Sequence, residues 1–92
     1  MTGSRRFRLG QVLITPMAQQ RLAAAAIDPR QLIIRHHQGD WGDVCLDDAT
    51  LNDQALQHGG RLLSAYTIGN DKIWIITEAD RSATTLLMPE EY

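Results

Sequence analysis

The apolar residues after Gly59-Gly60 fall into three short runs that are rich in β-branched and aromatic side chains. These runs are residues 61–68, 72–78 and 84–88, and the segments that separate them carry turn-forming residues. Connections this short join antiparallel neighbours, because a parallel crossover needs a dozen or more residues. The sequence therefore predicts a C-terminal antiparallel meander of three to four strands.

The middle run of this meander is apolar on both of its faces. Ile73 and Ile75 point to one side of a strand, whereas Trp74 and Ile76 point to the other. One face is expected to pack on helices. The other needs a cover from the N-terminal strand region, from another helix or from a partner subunit, and a homodimer is one such cover.

Two proline-containing pairs predict where helices begin. In Thr15-Pro16 and Asp28-Pro29 a polar side chain can accept from free amides, and proline is suited to the first helical position. The first helix should follow a short β-like run, Gln11–Ile14, and extend to about Ala26. The second should end at Gly39, which can adopt the left-handed conformation after a last turn.

A third helix is predicted from Asp48 to His58, with Asp47-Asp48 as its cap and with Leu51, Ala55 and Leu56 on its buried side. The fold class is therefore α+β, with about three short N-terminal helices packed on the meander. Residues 1–92 are expected to form a single domain, in which residues 1–8 are a flexible tail with Arg5, Arg6 and Arg8 exposed to solvent.

Composition limits the classes of function. A chain of 92 residues buries roughly 60–65 % of its unfolded surface and supports one modest core. Its net charge of -2 does not favour RNA or DNA as a partner. One cysteine excludes an intramolecular disulfide and fits a reducing compartment, and no apolar run has the length of a membrane span. We expect a cytoplasmic protein without membrane contact.

Neither a metal site nor a cofactor site is predicted. The candidate ligands lack the short paired spacing of a zinc site, and Gly59-Gly60 ends a helix where a phosphate loop would open one. Cys45, between Val44 and Leu46, is interpreted as a small buried hydrophobic residue. The candidate metal ligands are His36, His37, Cys45, Asp47, Asp48 and His58.

Polar residues around the predicted sheet form the candidate binding or active surface. Ser64 and Tyr66 share a strand face, and Thr77 lies on the strand expected to pair with theirs. The Trp41 loop between Gly39 and Gly42 is interpreted as exposed. The complete set is His37, Asp40, Trp41, Arg61, Ser64, Tyr66, Thr77, Asp80, Arg81, Thr84 and Thr85.

Two interpretations of this set stay open. A histidine, arginines and hydroxyls above a small sheet are what a metal-independent ribonuclease requires as base, acid and cation. The structural interpretation is that Asp80 and Ser82 are ordinary turn residues, that Arg81 pairs with Asp80 or with a helix end, and that the threonines form strands.

Five segments of the chain carry a family resemblance. They are residues 9–12 with Thr15-Pro16, 37–42, 60–66, 73–87 and 89–92. These segments resemble a family of short bacterial proteins that are carried by plasmids, integrative conjugative elements and prophages. Some members are labelled plasmid-related proteins and others type I restriction subunits, but a methyltransferase subunit would need a cofactor-binding fold that this chain does not encode. The resemblance implies an accessory role for a mobile element and no catalytic residue.

Three hypotheses about function follow. The first is an accessory protein of a mobile genetic element that binds a protein partner and modulates a host defence or regulatory complex. The second is a ribonuclease toxin of the barnase, colicin and RelE type, and the third is a nucleic-acid-binding regulator. The first is preferred because of the small size, the mild acidity, the two-faced apolar sheet and the Trp41 loop, which is expected to be exposed.

Overall fold

A computed structural model of the chain describes residues 7–92. It confirms the α+β class, with three α-helices and a sheet of four strands. The elements in chain order are β1 (Gln11–Ile14), α1 (Pro16–Ala24), α2 (Pro29–His37), α3 (Leu46–His58), β2 (Leu62–Ile68), β3 (Asp71–Thr77), β4 (Ala83–Leu87) and a 3₁₀ turn (Pro89–Glu91).

The sheet is mixed, so the expectation of a purely antiparallel meander is wrong. Strands β2, β3 and β4 are consecutive and antiparallel, as the short connections predicted. Strand β1 joins the free edge of β4 in the parallel direction, giving the order β1-β4-β3-β2. Three helices and a hairpin separate β1 from β4, which is ample chain for a parallel return. The helices do not precede the whole sheet as predicted, because β1 comes before α1, and the 3₁₀ turn follows β4.

The predicted starts of α1 and α2 are confirmed. The hydroxyl of Thr15 accepts a hydrogen bond from the Ala18 amide at 3.1 Å, and the carboxylate of Asp28 accepts one from the Arg30 amide at 2.9 Å. Gly39 has a φ of 85°, the left-handed conformation expected after α2. Helix α1 ends at Ala24, two residues before the expected Ala26.

Helix α3 differs from its prediction in its start and in its buried side. It begins at Leu46 after an uncapped Cys45, so the two aspartates lie in its first turn. Cys45 is exposed, contrary to its interpretation as a buried residue. Leu51 is 61 % exposed, whereas Asn52 is buried.

Asn52 explains this rotation of α3. Its side-chain amide donates to the Leu63 carbonyl at 2.7 Å and accepts from the Leu63 amide at 3.0 Å. The amide group thus occupies the place of a neighbouring strand beside β2. Because this contact turns Asn52 toward the sheet, Leu51, one position earlier, points to solvent.

The segment 41–43 covers the same edge of β2 two residues further along, at Ala65. The Ala65 amide donates to the Trp41 carbonyl at 3.0 Å, and the Ala65 carbonyl accepts from the Asp43 amide at 2.6 Å. Gly42 forms a parallel bridge with Ala65 between these bonds. The outward-facing main chain of β2 is therefore bonded at Leu63 and at Ala65, which closes this edge to another strand.

The two faces of β3 are arranged as the alternation predicted. Ile73 and Ile75 are fully buried in the main core, beside the α1 residue Leu22 and the β4 residue Leu86. Trp74 lies on the opposite face, where its ring centroid is 5.7 Å from that of Tyr92. The side of the sheet that meets the helices thus holds the larger core.

Most of the segment predicted as a tail, including Arg5 and Arg6, lies outside the described residues. Phe7 is half-buried and packs on the small cluster formed by Trp41, Ala55 and Leu62. Between Phe7 and Tyr92, none of the helices has the length and apolar character that crossing a membrane requires.

Replacement of Gly42 by alanine is expected to weaken the fold more than replacement of Gly69. Both glycines have positive φ, but an added Cβ at Gly42 would collide with the Ala65 carbonyl and the Tyr66 ring, whereas at Gly69 it meets open space. Gly69→Ala should cost about 1–3 kcal/mol through its backbone conformation, and Gly42→Ala about 2 kcal/mol more through overpacking. Urea unfolding measures both, and equal losses would contradict the close approach of the 41–43 segment.

Candidate functional site

Three of the predicted polar residues meet inside the protein, around a histidine that the prediction left out. The Nδ1 atom of His36 lies 2.5 Å from the Ser64 hydroxyl, and its Nε2 atom lies 2.8 Å from the Thr77 hydroxyl. Thr77 bonds in turn to the Thr84 hydroxyl at 2.7 Å, and Thr84 donates to the Leu9 carbonyl at 2.7 Å. We call this chain of five residues the histidine relay.

The hydrogen bonds of the histidine relay can run in one direction. A carbonyl only accepts, so the single hydrogen of Thr84 is committed to Leu9, and Thr77 must donate to Thr84. Thr77 then has no hydrogen left for the ring, which makes Nε2 of His36 the donor. In the neutral ring Nδ1 is consequently an acceptor, and Ser64 donates to it.

The surroundings of the relay favour the neutral ring. His36 has no solvent-exposed surface, and the rings of Phe7 and Trp41 meet it edge-on at centroid distances of 5.3 and 5.7 Å. Burial, with a smaller contribution from His37, lowers the pKa of His36 to about 4. The ring is therefore uncharged at neutral pH, in agreement with the hydrogen-bond directions.

The relay superficially resembles a serine–histidine pair, yet its geometry does not activate a nucleophile. A catalytic histidine takes the proton of the serine, and a carboxylate on its other nitrogen stabilises the resulting cation. Here the other nitrogen donates to Thr77, a neutral hydroxyl, and Ser64 is fully buried. The arrangement instead ties α2 to β2, β3, β4 and the segment before β1.

The helical spacing of α2 predicts a histidine on its buried side but does not distinguish the two neighbours. His36 lies four residues after Leu32, and His37 lies four residues after Ile33. In the structure, Leu32 and His36 are the two buried residues of α2. His37, the histidine in the candidate set, is half-buried, and its Nε2 atom lies 2.9 Å from the Phe7 carbonyl.

Tyr66 and Asp40 belong to a second group of contacts. The Tyr66 hydroxyl donates to the Asp40 carbonyl at 2.6 Å, while the Asp40 carboxylate accepts from Arg35 at 2.7 Å. Burial raises the pKa of Tyr66 to about 12, and the hydrogen bond from Arg35 holds the pKa of Asp40 below its usual value. These contacts fix the loop after α2, and Tyr66 remains a protonated donor.

Trp41 lies inside the protein, so the expectation of an exposed tryptophan loop is wrong. It is 7 % exposed and packs with Ala55 and Leu62. Its indole nitrogen donates to the Asp53 carboxylate at 3.2 Å, which satisfies the polar atom of the ring. Trp41 thereby anchors α3 to the sheet.

Arg81 and Asp80 also make contacts within the chain. The Arg81 guanidinium donates to the Gly60 carbonyl at 2.6 Å and to the Ala55 carbonyl at 3.1 Å, where a cation stabilises the end of α3. The Asp80 carboxylate accepts from the Ser82 amide at 3.0 Å, and its hydrogen bonds with Ser82 lower its pKa. These contacts correspond to the structural interpretation of the turn.

Two predicted residues lie apart from these groups. Arg61 is exposed, donates to the Tyr92 hydroxyl and has its guanidinium carbon 5.1 Å from the Tyr92 ring centroid. Thr85 pairs in register with Ile76 and with Leu13. The candidate set is thus divided among separate contacts, since His37, Ser64, Tyr66 and Arg81 each bond to a different partner.

Two of the surface grooves are formed entirely by residues within 7–92. One, of about 420 Å³, lies at the end of α3 and is lined by Leu51, Gln54, Ala55, His58, Gly59, Gly60 and Arg61. The other, of about 260 Å³, is bordered by uncharged residues, namely Ile14, Gln19, Leu22, Ala23, Ile27 and Pro29. Across the described part of the chain, no three His, Cys, Asp or Glu side chains are grouped as a metal ion would require.

No model of a known protein family, no curated protein and no solved structure matches the chain. The function is therefore inferred from the geometry and chemistry of its own residues.

The buried ring predicts a specific loss of stability in acid. Because the pKa of His36 falls from 6.5 in the unfolded chain to about 4 in the folded one, the unfolded state binds the extra proton between these values. The stability that the neutral ring contributes is fully present above about pH 6.5 and is lost as the pH falls toward 4. The difference between the two pKa values corresponds to about 3 kcal/mol of unfolding free energy.

His36→Gln is the matched test, because glutamine keeps one donor and one acceptor without titrating. Between neutral pH and about pH 4, the unfolding free energy of the unmodified chain should fall by about 3 kcal/mol more than that of the variant. Urea unfolding across the pH range measures the difference. His37→Gln serves as the control at the neighbouring position and should retain the decline, and identical pH profiles for all three chains would contradict a buried neutral ring.

Proposed function

We propose that this protein acts by binding another protein, and that the outer face of α3 is the contact surface. The observation that carries the proposal is the exposure of Leu46 and Leu51, which are 82 and 61 % accessible on one helix. Leu51 also borders the larger groove. Large apolar side chains beside a concave surface are typical of the anchors of protein interfaces.

The charge around α3 supports a particular kind of partner. Residues 36–60 contain five aspartates and neither lysine nor arginine, and Arg61 is the one cation among the residues that line the larger groove. Asp47 and Asp48 lie in the first turn of α3, next to Leu46. An acidic surface with exposed leucines is complementary to a basic amphipathic helix, whose apolar side would cover the leucines while its lysines or arginines meet the aspartates.

The floor of the groove supports a helical partner as well. Ala55, Gly59 and Gly60 line it with little or no side chain, so another main chain can approach closely. Gln54 and His58 lie at its margin and offer polar groups to a partner. We call the surface made of Leu46, Asp47, Leu51, Gln54 and His58 the α3 face.

The resemblance to short proteins of plasmids, conjugative elements and prophages supplies a setting for this proposal. In that setting the α3 face would bind a subunit of a host defence or regulatory complex and alter its activity. The enclosure of the reactive side chains agrees with a role through binding, since Ser64, Thr77 and Thr84 have no exposed surface.

The two other hypotheses gain less support from the geometry. A ribonuclease needs its base and acid within reach of a substrate, yet Ser64 and Thr84 are enclosed and Arg81 is bonded to main-chain carbonyls. A regulator that binds nucleic acid needs a basic surface, which the net charge of -2 does not favour.

A synthetic amphipathic peptide of leucine and lysine tests the α3 face directly. We expect micromolar binding that weakens with salt and that shifts the amide resonances of α3. Leu51→Ser should weaken binding roughly ten-fold, which corresponds to about 1.4 kcal/mol. Isothermal titration calorimetry measures the affinity, and NMR locates the site.

Two controls make the result specific. Ile34→Ser removes an apolar side chain from α2 that is also exposed, and it should leave the affinity unchanged. A peptide with glutamate in place of lysine should not bind, because its charge matches that of the α3 face. If Leu46→Ser and Leu51→Ser bind the lysine peptide as tightly as the unmodified chain, the proposal is wrong.

A further inference from the structure

The two edges of the sheet differ in a way that the proposed function does not use. The main chain of β2 is bonded on its outer side by Asn52 and by the 41–43 segment. On the opposite edge of the sheet, no segment of residues 7–92 covers the outer side of β1 in this way. Its residues Val12 and Leu13 are 44 and 41 % exposed.

The hydrogen bonds of β1 show which of its groups face outward. The Gln11 and Thr15 amides donate to the Ser82 and Leu86 carbonyls of the β4 side, each at 3.0 Å. The amide and carbonyl groups of successive strand residues point to opposite sides. The main-chain groups of Leu13 therefore also face β4, whereas those of Val12 and Ile14 face away from it. Apart from the β1–β4 pairing itself, neither of these two residues has a main-chain hydrogen bond to a residue from Phe7 to Tyr92.

The outward main-chain groups of Val12 and Ile14 are placed so that two copies of β1 can bond to each other. If a second copy of β1 lies antiparallel on a two-fold axis at Leu13, then Val12 of each copy is opposite Ile14 of the other. Such a pair exchanges two hydrogen bonds, N–H to carbonyl in both directions. The pairing therefore uses the outward amides and carbonyls of Val12 and Ile14 in both copies. The two Leu13 side chains then meet at the axis.

The side chains around this edge suit a second copy. From Leu9 to Gln20 the chain has no charged residue, so two copies can meet without like charges facing each other across the axis. Unpaired edge strands are usually kept short or are protected by charge, proline or a bulge; β1 is short, with four residues, but has none of the other three within Gln11–Ile14. An uncharged edge also offers no electrostatic preference for a partner of either sign.

The smaller groove lies beside the same edge. Ile14 borders it together with Leu22, Ala23 and Ile27. Val12 of a second copy would lie directly opposite Ile14 and on the same face of the sheet, so its side chain would cover the groove. The exposed surface of Val12 and Leu13 would thereby be buried in both copies.

We propose that this protein forms a two-fold dimer by antiparallel pairing of β1 with β1, which joins the two four-stranded sheets into one. The contact is a short strand and a small groove, less than the area of a standard stable interface. The dimer should accordingly have a micromolar dissociation constant. It leaves the α3 face, which adjoins the other edge of the sheet, free in both copies.

Charge reversal at the axis is the sharpest test, because Leu13 meets itself there. The mass of the unmodified chain, followed by sedimentation equilibrium, should rise with concentration from 10.3 kDa toward twice that value. Leu13→Lys and Leu13→Glu should each remain monomeric, and an equimolar mixture of the two variants should dimerise again. Ile34→Lys places the same charge on α2, where the side chain is 55 % exposed, and should dimerise like the unmodified chain.

Several outcomes would overturn the proposal. A chain that stays monomeric at millimolar concentration does not pair with itself, and its free edge would then be a site for an extended segment of another protein. A dimer that survives Leu13→Lys, or a charge-reversed mixture that stays monomeric, would place the contact elsewhere.

A cysteine pair provides a second measurement that introduces no charge. In a Cys45→Ser background, Leu13→Cys brings two thiols together at the axis, in a non-hydrogen-bonded pair whose Cα atoms are roughly 4.5 Å apart. Mild oxidation should link this variant into a covalent dimer. Val12→Cys faces Ile14 of the other copy and should link much more slowly, so equal rates at the two positions would contradict the proposed register.

Discussion

A neutral histidine in an apolar interior is the constraint on which much of this structure depends. Both ring nitrogens of His36 need partners, because a buried polar atom without a hydrogen bond costs about 1–3 kcal/mol. Ser64 and Thr77 satisfy them from two adjacent strands, and Thr84 extends the chain of bonds to Leu9. The helix α2, three strands and the segment before β1 are thereby held in a single relative position.

The direction of these bonds makes the relay a fixed unit. Every hydroxyl has one hydrogen, and each of them is committed once Thr84 donates to Leu9. A change at one member therefore leaves its neighbour unsatisfied inside the protein, where the low dielectric makes that loss costly. Polar residues that look available for chemistry in the sequence are in this way used to specify the packing of helices against the sheet.

The use of polar and aromatic side chains for internal contacts also decides which surfaces remain free for partners. Trp41 and Asn52 fasten α3 to β2, and Arg81 stabilises the end of α3, so these polar and aromatic groups are turned inward. What α3 presents to solvent is the set of leucines and aspartates on its outer side. At the opposite edge of the sheet, β1 keeps a row of main-chain groups that no neighbouring element covers within residues 7–92.

The sequence by itself determined the local elements. Thr15 and Asp28 define helix starts because a cap acts over two or three residues, and the alternation in β3 defines its two faces because successive side chains point in opposite directions. Gly39 ends α2 for an equally local reason, since its left-handed conformation depends on its own lack of a side chain. These features need no knowledge of distant residues.

The tertiary structure alone decided which of the polar residues would be buried and how the strands would be ordered. His36 rather than His37 faces Ser64 and Thr77, since the rotation of α2 is fixed by contacts with strands 28 and 41 residues away along the chain. Leu51 is exposed because Asn52 bonds to Leu63. Strand β1 pairs with β4 because β4 is the outer strand of the antiparallel meander on that side. Such outcomes depend on long-range packing and on backbone hydrogen bonds between distant segments, which a pattern of neighbouring residues does not encode.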